Sequence, residues 1–176
     1  MRLELIAADA ESARAAIADR ARFAALLDAK VPREWPPSLF DEDEAKFAER
    51  LEAARGEEGW HHWYILKVGP RARTLIGTIG FGGPPSEGGE VMMGYSVLDA
   101  FQRRGYATEA VGALIDWAFE DERTRAIVAV DYAGQPADYD LLRELARGRG
   151  IRLVADACHA PGARYNGRAA GTLGDS

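Results

Sequence analysis

The chain has 176 residues, with 47% hydrophobic and 28% charged side chains, a net charge of −6 and a pI near 5.2. This length suits one domain with a sizeable core, and this composition excludes a chain that is largely disordered. An acidic chain is also not expected to be a general nucleic-acid binder.

The cysteine content and the N-terminus bear on the compartment. Cys158 is the single cysteine, so an intrachain disulfide is excluded, as is usual in a reducing compartment. The first residues include an early acid and lack the apolar core of a signal peptide, and no window approaches about twenty apolar residues. We therefore expect a cytoplasmic protein that does not contact a membrane.

The first forty residues alternate between strand, helix and loop signals. Leu3 to Ile6 alternate with charged residues and predict a strand, and the alanine-rich stretch from Ala8 to Ala29 predicts one or two short helices. Residues 31–40 hold three prolines and cannot be helical. We expect Trp35 and Phe40 to anchor this loop to the core; the alternative is that they roof a substrate groove.

A helix and three strands are predicted next. The acids at 41–44 precede apolar residues at helical spacing, so they complement a helix dipole; the alternative is that they attract a basic substrate. Aromatic and β-branched runs then predict an antiparallel meander. Its strands are Trp60 to Val68, Thr74 to Phe81 and Glu90 to Val97.

Two adjacent histidines lie on the first strand of this meander. Because neighbouring strand residues point to opposite faces, His61 and His62 cannot bind one metal ion together in the usual way. Packing or surface roles are favoured over a place in an active cleft. We expect no metal site.

The stretch from Val91 to Ala118 carries the clearest chemical signal. A strand breaks into a short turn, and an amphipathic helix follows whose apolar positions are Ala110, Val111, Leu114, Ile115 and Ala118. The first N–H groups of a helix lack intrahelical partners and its dipole is positive there, so a helix start binds anions. Gly105 permits close backbone approach, and Arg103 and Arg104 add phosphate donors. The pattern predicts a phosphate-bearing ligand at residues 102–108.

This stretch resembles the acetyl-CoA signature of the GNAT N-acetyltransferases, Gln/Arg-x-x-Gly-x-Gly/Ala. Here it reads Gln102-x-x-Gly105-x-Ala107, in wording typical of the ribosomal-protein N-acetyltransferase branch. The resemblance covers about residues 1–123. It implies an α/β (α+β) fold: a mixed sheet with an antiparallel meander and flanking helices.

The resemblance also implies which residues bind the acetyl donor. Backbone groups near Tyr95 and Val97 would hold the pantetheine arm. The residues that would hold the diphosphate are Gln102, Arg103, Arg104, Gly105, Tyr106, Ala107 and Thr108.

Catalysis by such a chain needs a hydrogen-bond donor to the acetyl carbonyl and an acceptor for the proton of the amine. By resemblance, a backbone N–H of the strand 90–97 polarises the acetyl carbonyl. Glu90 is our choice for the proton acceptor, directly or through water; the alternative is a solvated acid at a strand end. The tyrosine that protonates the leaving thiolate in the family has no matching position, and Tyr132 or Tyr139 would have to substitute. For Cys158, the role of a small apolar filler is favoured over that of a nucleophile that carries the acyl group.

After residue 123 the sequence changes character. Residues 124–140 and 151–163 resemble the DegT/DnrJ family of PLP-dependent sugar aminotransferases, in which acids at the position of Asp156 pair with the pyridinium nitrogen and residues at the position of His159 contact the cofactor. PLP chemistry requires a Schiff-base lysine, and the lysines of this chain are Lys30, Lys46 and Lys67, all in the acetyltransferase-like part. We therefore expect no PLP, with Asp156 and His159 as relics.

The segment 124–176 predicts a strand (126–131), a helix (139–146) and a strand (152–155), a βαβ unit that completes the sheet beside residues 91–97. We expect it to pack into the same domain as residues 1–123, with a loose tail from Pro161. The favoured function is an acetyl-CoA-dependent N-acetyltransferase acting on a protein N-terminus or a small amine. The alternatives are a non-catalytic CoA-binding module and a non-functional aminotransferase remnant.

Overall fold

The structure is a computed structural model that describes residues 2–37, 44–54, 56–131 and 136–175. It contains the helices and strands that the sequence predicts, in the predicted order, together with three strands of two residues each that the sequence does not predict. The elements in chain order are β1 (Leu3–Ala7), α1 (Ala10–Ala18), α2 (Arg20–Leu27), β2 (Ala29–Lys30), α3 (Glu44–Ala53), β3 (His62–Val68), β4 (Arg73–Phe81), β5 (Glu90–Val97), α4 (Tyr106–Ala118), β6 (Ala126–Val130), α5 (Tyr139–Arg147), β7 (Arg152–Asp156), β8 (Arg164–Tyr165) and β9 (Arg168–Ala169).

The main sheet is mixed. Among the described residues it has seven strands, in the order β1-β3-β4-β5-β6-β7, with β2 pairing on β4. The β1–β3 and β3–β4 pairs are antiparallel, whereas β5–β6 and β6–β7 are parallel. The predicted fold class, a mixed sheet with flanking helices, is confirmed.

The chain divides into two compact units. The first comprises Met1–Gly80 and Tyr95–Val111, and the second comprises Phe81–Gly94 and Gly112–Ser176. The change of sequence character at residue 123 lies inside the second unit. It does not coincide with any of the three boundaries between the units, which follow Gly80, Gly94 and Val111.

Aromatic side chains form much of the core of the first unit. Trp35 is only 7% exposed, and its ring centroid lies 5.9 Å from that of Phe23 and 6.3 Å from that of Tyr64. Burial of rings of this size supplies roughly 2–3 kcal/mol each. The predicted anchoring of the proline loop is confirmed for Trp35, whereas Phe40 and the acids at 41–43 lie outside the described residues.

The helix starts of the first unit follow from the sequence. Asp9 accepts a hydrogen bond from the Ser12 N–H at 2.7 Å, and the Ser12 hydroxyl accepts one from the Asp9 N–H at 3.0 Å. Asp19 ends α1 and caps α2 through the Arg22 N–H. Caps of this kind satisfy donors that the first helical turn leaves unpaired, and each contributes about 1 kcal/mol.

The predicted βαβ unit is present in the second unit. Ile127 of β6 and Leu153 of β7 are both 1% exposed and lie opposite each other in a parallel register. Val91 of β5 pairs with Ile127 on the other side of β6, so the segment after residue 123 supplies the strands next to β5, as predicted. No helix in the described part of the chain is long and apolar enough to cross a membrane.

The tail differs from its prediction. Leu173 is fully buried, and its carbonyl accepts a hydrogen bond from Arg143 Nη2 at 2.6 Å. Asp175 pairs with Leu153 in both directions: its N–H donates to the Leu153 carbonyl at 2.6 Å, and its Oδ2 accepts from the Leu153 N–H at 2.9 Å. The expectation of a loose tail is wrong, because these contacts tie it to α5 and β7.

Candidate functional site

The candidate site begins where β5 ends. The backbone of β4 approaches β5 so closely that a Cβ on Gly77 would lie 2.4 Å from the Ser96 carbonyl oxygen. One residue after β5, the Leu98 N–H donates to the Ile76 carbonyl at 2.9 Å, and a short 3-10 turn over Asp99–Phe101 follows. These contacts fix the point at which the chain leaves the sheet.

Gln102 closes this turn with its side chain. Its amide nitrogen donates to the Val97 carbonyl at 2.8 Å and to Asp99 Oδ1 at 2.9 Å, and its backbone N–H donates to the Asp99 carbonyl at 3.2 Å. The first residue of the predicted signature therefore has its donors engaged within the protein. Its contacts hold the end of β5 against the turn.

The backbone between Gln102 and α4 has an uncommon conformation. Arg103 has φ 56° and Gly105 has φ 76°, both in the left-handed region. Glycine adopts this region freely, whereas for other L-residues it costs about 1–2 kcal/mol. Left-handed residues in turns create concave arrays of N–H groups that suit anions.

The backbone N–H groups of this turn are available. The first hydrogen bond of α4 runs from the Glu109 N–H to the Gly105 carbonyl at 3.1 Å. In the part of the chain that the structure describes, the N–H groups of residues 103–108 have no hydrogen-bond partner. The predicted anion site therefore has consecutive unpaired donors at the positive end of a helix.

The side chains of the signature differ in their placement. Arg103 and Arg104 are exposed, and neither forms an ion pair with a described residue. Tyr106 is 7% exposed, and its ring lies 4.9 Å from the Arg2 guanidinium carbon and 6.5 Å from the Phe101 ring. Its side chain therefore packs in the protein. Of the remaining predicted residues, Val97 is buried, Ala107 is half-buried, and Tyr95 and Thr108 are exposed.

Two further residues belong to this site, and sequence reasoning missed them. Glu109 Oε1 accepts from the backbone N–H groups of Arg2 at 2.8 Å and Leu3 at 3.2 Å, and its Oε2 accepts from Arg2 Nε at 2.8 Å. Partial burial disfavours the carboxylate, but the N–H groups and guanidinium of Arg2 outweigh it and hold the pKa of Glu109 below its usual range. An acid in a first helical turn usually indicates only helix electrostatics, so it gave no distinct signal.

Glu90 lies at the start of β5 and in the second unit. Its carboxylate accepts a hydrogen bond from the Ser86 hydroxyl, and this bond holds the pKa of Glu90 below its usual range. A lower pKa makes the carboxylate a weaker base. Its role as proton acceptor stays a prediction.

Tyr139 is the one of the two possible thiolate acids that lies within the described residues. Burial, reinforced by the Asp131 carboxylate, raises the pKa of Tyr139 far above its usual range, so this phenol holds its proton firmly. Tyr132 lies outside the described residues.

Asp156, which resembles the cofactor-pairing acid of the aminotransferases, forms a hydrogen bond with the nearby Cys158. Asp156 Oδ1 accepts from the Cys158 N–H at 3.0 Å, and contacts with Cys158 lower the pKa of Asp156. The same carboxylate raises the pKa of the Cys158 thiol, which disfavours a nucleophilic thiolate. Cys158 is exposed, so the expectation of an apolar filler is wrong. Within the described ranges, no cluster of potential ligands could hold a metal ion.

Comparisons with known proteins find relatives of two kinds. A Bacillus subtilis protein named uncharacterized N-acetyltransferase YjdG is 35% identical over 96 residues, which are 54% of this chain and 56% of that protein. A dTDP-3-amino-3,4,6-trideoxy-alpha-D-glucose transaminase of Micromonospora megalomicea is 54% identical over 54 residues, which are 31% of this chain and 14% of that protein. The C-terminal segment is thus similar to sugar aminotransferases, and the chain spans 14–56% of the length of these two relatives.

Solved structures of the same class are more distant. A ribosomal-protein-S5-alanine acetyltransferase from Vibrio fischeri is 14% identical with a TM-score of 0.49, over 88% of this chain and 81% of that one. A GNAT-family acetyltransferase from Bacillus anthracis is 17% identical with a TM-score of 0.44, over 73% of this chain and 69% of that one. The decisive match is a family model described as an acetyltransferase (GNAT) domain, which covers residues 5–145. The chain belongs to the acetyltransferase (GNAT) domain family.

Proposed function

We propose that this chain is an N-acetyltransferase that moves an acetyl group from acetyl-CoA to a primary amine, on a protein N-terminus or a small molecule. The observation that carries the proposal is the run of unpaired N–H groups at residues 103–108, in a member of this family. The diphosphate of CoA is the anion that such a helix start suits.

The described residues fit that anion. The exposed side chains of Arg103 and Arg104 form no ion pair with a described residue. They lie at the start of the run of free N–H groups and add positive charge, which attracts a diphosphate. The Gln102 side chain is already bonded to Val97 and Asp99, so we assign it the shaping of the turn. In our proposal, backbone groups of Tyr95 and Val97 bind the pantetheine arm.

The chemistry of the donor assigns the remaining roles. Acetyl-CoA supplies an activated thioester. The amine attacks its carbonyl carbon, the C–N bond forms as the C–S bond breaks, and CoA leaves as a thiolate that takes a proton from solvent. In our proposal, a backbone N–H of β5 polarises the carbonyl oxygen, and the Glu90 carboxylate accepts the proton that the amine loses. Because its pKa is lowered, Glu90 is ionised at neutral pH and can accept that proton directly or through water.

A non-catalytic CoA-binding module is the second candidate. The observation that favours it is the pairing of Glu90 with Ser86, which weakens the proposed base. Thiol release from acetyl-CoA, measured with a panel of primary amines, separates the two. Release that depends on the amine supports the enzyme, and CoA binding without release supports the module.

Binding of acetyl-CoA to the wild-type chain and to Gly105→Glu, measured by calorimetry, tests the site itself. Glutamate at residue 105 places a negative side chain at the diphosphate position and strains a backbone with φ 76°, so we expect affinity to fall at least about tenfold. Gly148→Glu is the matched control, because a side chain at residue 148 meets no atom within 4 Å and φ there is −75°. Equal affinity of the wild type and Gly105→Glu would remove the site assignment.

The partners and location in this proposal follow from composition and family. A small-molecule donor and an amine acceptor are the expected partners, with no nucleic acid or membrane. A cytoplasmic location and the lack of a PLP function remain predictions.

A further inference from the structure

Arg2, directly before β1, makes contacts along one side of the turn that precedes α4. Its Nη1 donates to the Arg104 carbonyl at 3.2 Å, and its Nη2 lies 3.5 Å from the Gly105 carbonyl. Its Nε donates to Glu109 at 2.8 Å, and its guanidinium carbon lies 4.9 Å from the centre of the Tyr106 ring. One guanidinium therefore touches four residues of a segment about a hundred positions away.

The contact with the Arg104 carbonyl determines where the Gly105 N–H points. In a trans peptide the C=O and the following N–H point in opposite directions. Holding the Arg104 carbonyl toward Arg2 turns the Gly105 N–H away from it. The Gly105 carbonyl already accepts a hydrogen bond from the Glu109 N–H at 3.1 Å, so the helix itself orients the Tyr106 N–H. The Gly105 N–H belongs to the unpaired set, so Arg2 fixes the direction of a donor that it does not touch.

The turn needs such support. Arg103 and Gly105 both have positive φ, and alternative peptide orientations in this segment would turn carbonyl oxygens toward an incoming phosphate. A carbonyl dipole repels an anion, whereas an N–H group attracts one. The fork-shaped guanidinium suits this task, because it carries several donors in one plane.

We propose that Arg2 is a positioning residue for the diphosphate site, holding the Arg104 carbonyl so that the N–H group of Gly105 faces the ligand. The inference rests on the proposed function. The competing explanation is that Arg2 only ties β1 to α4. Glu109 already provides that tie through the N–H groups of Arg2 and Leu3, which survive replacement of the Arg2 side chain.

The test measures binding of CoA and of pantetheine, which lacks the diphosphate, to the full chain and three variants. Arg2→Ala removes the guanidinium, and Arg2→Lys keeps the charge without the fork. Arg22→Ala is the control, because Arg22 is a similarly exposed arginine in the same unit with a single ion pair, to Glu11 at 2.8 Å. We expect Arg2→Ala to weaken CoA binding about tenfold and to leave pantetheine binding within about twofold of wild type, with Arg2→Lys close to Arg2→Ala and Arg22→Ala close to wild type.

Amide resonances of the ligand-free chain provide a readout that does not depend on CoA. If Arg2 orients the peptide between Arg104 and Gly105, the Gly105 N–H signal moves in both Arg2→Ala and Arg2→Lys and stays in place in Arg22→Ala. Wild-type CoA affinity in Arg2→Ala, full restoration by Arg2→Lys, or equal loss of CoA and pantetheine binding would each overturn the inference and leave the proposed function standing. Failure of the wild-type chain to bind CoA would instead overturn the proposed function and this inference with it.

Discussion

The side-chain amide of Gln102 donates a hydrogen bond to the carbonyl oxygen of Val97 at 2.8 Å, which joins the last residue of β5 to the residue that opens the turn before α4. The same nitrogen donates to Asp99 at 2.9 Å. Two bonds from one amide enclose the short 3-10 turn between them. The first residue of the signature thus stabilises the loop from which the proposed ligand donors project.

Replacement of Gln102 tests this role. Gln102→Ala leaves the Val97 carbonyl without its side-chain donor, so we expect the free energy of unfolding to fall by about 1 kcal/mol. Gln102→Glu should cost more, because a carboxylate would lie next to Asp99 and cannot donate. Urea unfolding measures both changes. Arg104→Ala is the control: its exposed side chain has no described partner, and a change beyond about 0.5 kcal/mol there would contradict the account.

Two glycines, one just before α4 and one in its middle, should respond in opposite ways to the same substitution. Gly105 has φ 76°, so Gly105→Ala should lower the free energy of unfolding by about 1–2 kcal/mol and weaken CoA binding. Gly112 lies inside α4, and a Cβ there would meet Leu145 Cδ2 at an ordinary 3.7 Å. Gly112→Ala should therefore stabilise the chain by up to about 1 kcal/mol, since alanine is the better helix former. Thermal and urea unfolding distinguish the two, and equal effects would contradict the strain argument.

Regular elements could be predicted because their signals are local. The buried positions of α4, from Ala110 to Ala118, are those that helical spacing marks, and the strands β3 to β5 follow runs of aromatic and β-branched residues. The turn at residues 102–105 was predictable from its motif. Its positive φ at Arg103 was not, because nothing in an arginine marks that conformation.

The partners of the candidate site could not be predicted in the same way. Arg2 and Glu109 are separated by 107 positions, and their contact depends on how β1 and α4 pack. For the tail, the sequence predicted a loose segment, whereas the structure has specific contacts there. Its glycines and polar residues suggested looseness, yet Leu173 and Asp175 find specific partners on α5 and β7 that composition does not reveal.

His62 should give the chain a stability that depends on pH. Its residue is half-buried, but its Nε2 is shut off from solvent, and this desolvation lowers its pKa from 6.5 to about 4. Between pH 6.5 and 4, His62 therefore binds a proton more readily in the unfolded chain than in the folded chain. The contribution of His62 to the free energy of unfolding is therefore fully present above pH 6.5. It is lost as the pH falls toward 4, by up to about 3 kcal/mol.

A variant without the imidazole separates the effect of His62 from that of the titrating Asp and Glu side chains. His62→Phe keeps a ring against Tyr64, which lies 5.4 Å from the imidazole centroid, but cannot titrate. Urea unfolding of both proteins at steps between pH 7 and 4.5 gives the difference in their free energies. We expect the wild type to lose more stability than His62→Phe on acidification, and parallel curves would show that His62 is protonated equally in both states.

Removal of the tail should destabilise the second unit. A chain ending at Ala160 loses the buried Leu173 side chain, its bond with Arg143, and both bonds between Asp175 and Leu153. Burial of a leucine contributes roughly 1.5–3 kcal/mol and each hydrogen bond about 1 kcal/mol, so we expect a loss of several kcal/mol. Leu173→Ala in the full chain should lower the free energy of unfolding by about 2–5 kcal/mol, because it leaves a cavity. Glu144→Ala, on the exposed face of α5, is the control and should change it by less than about 0.5 kcal/mol. Urea unfolding measures all three, and a truncated chain as stable as the full one would mean that the tail contacts contribute nothing.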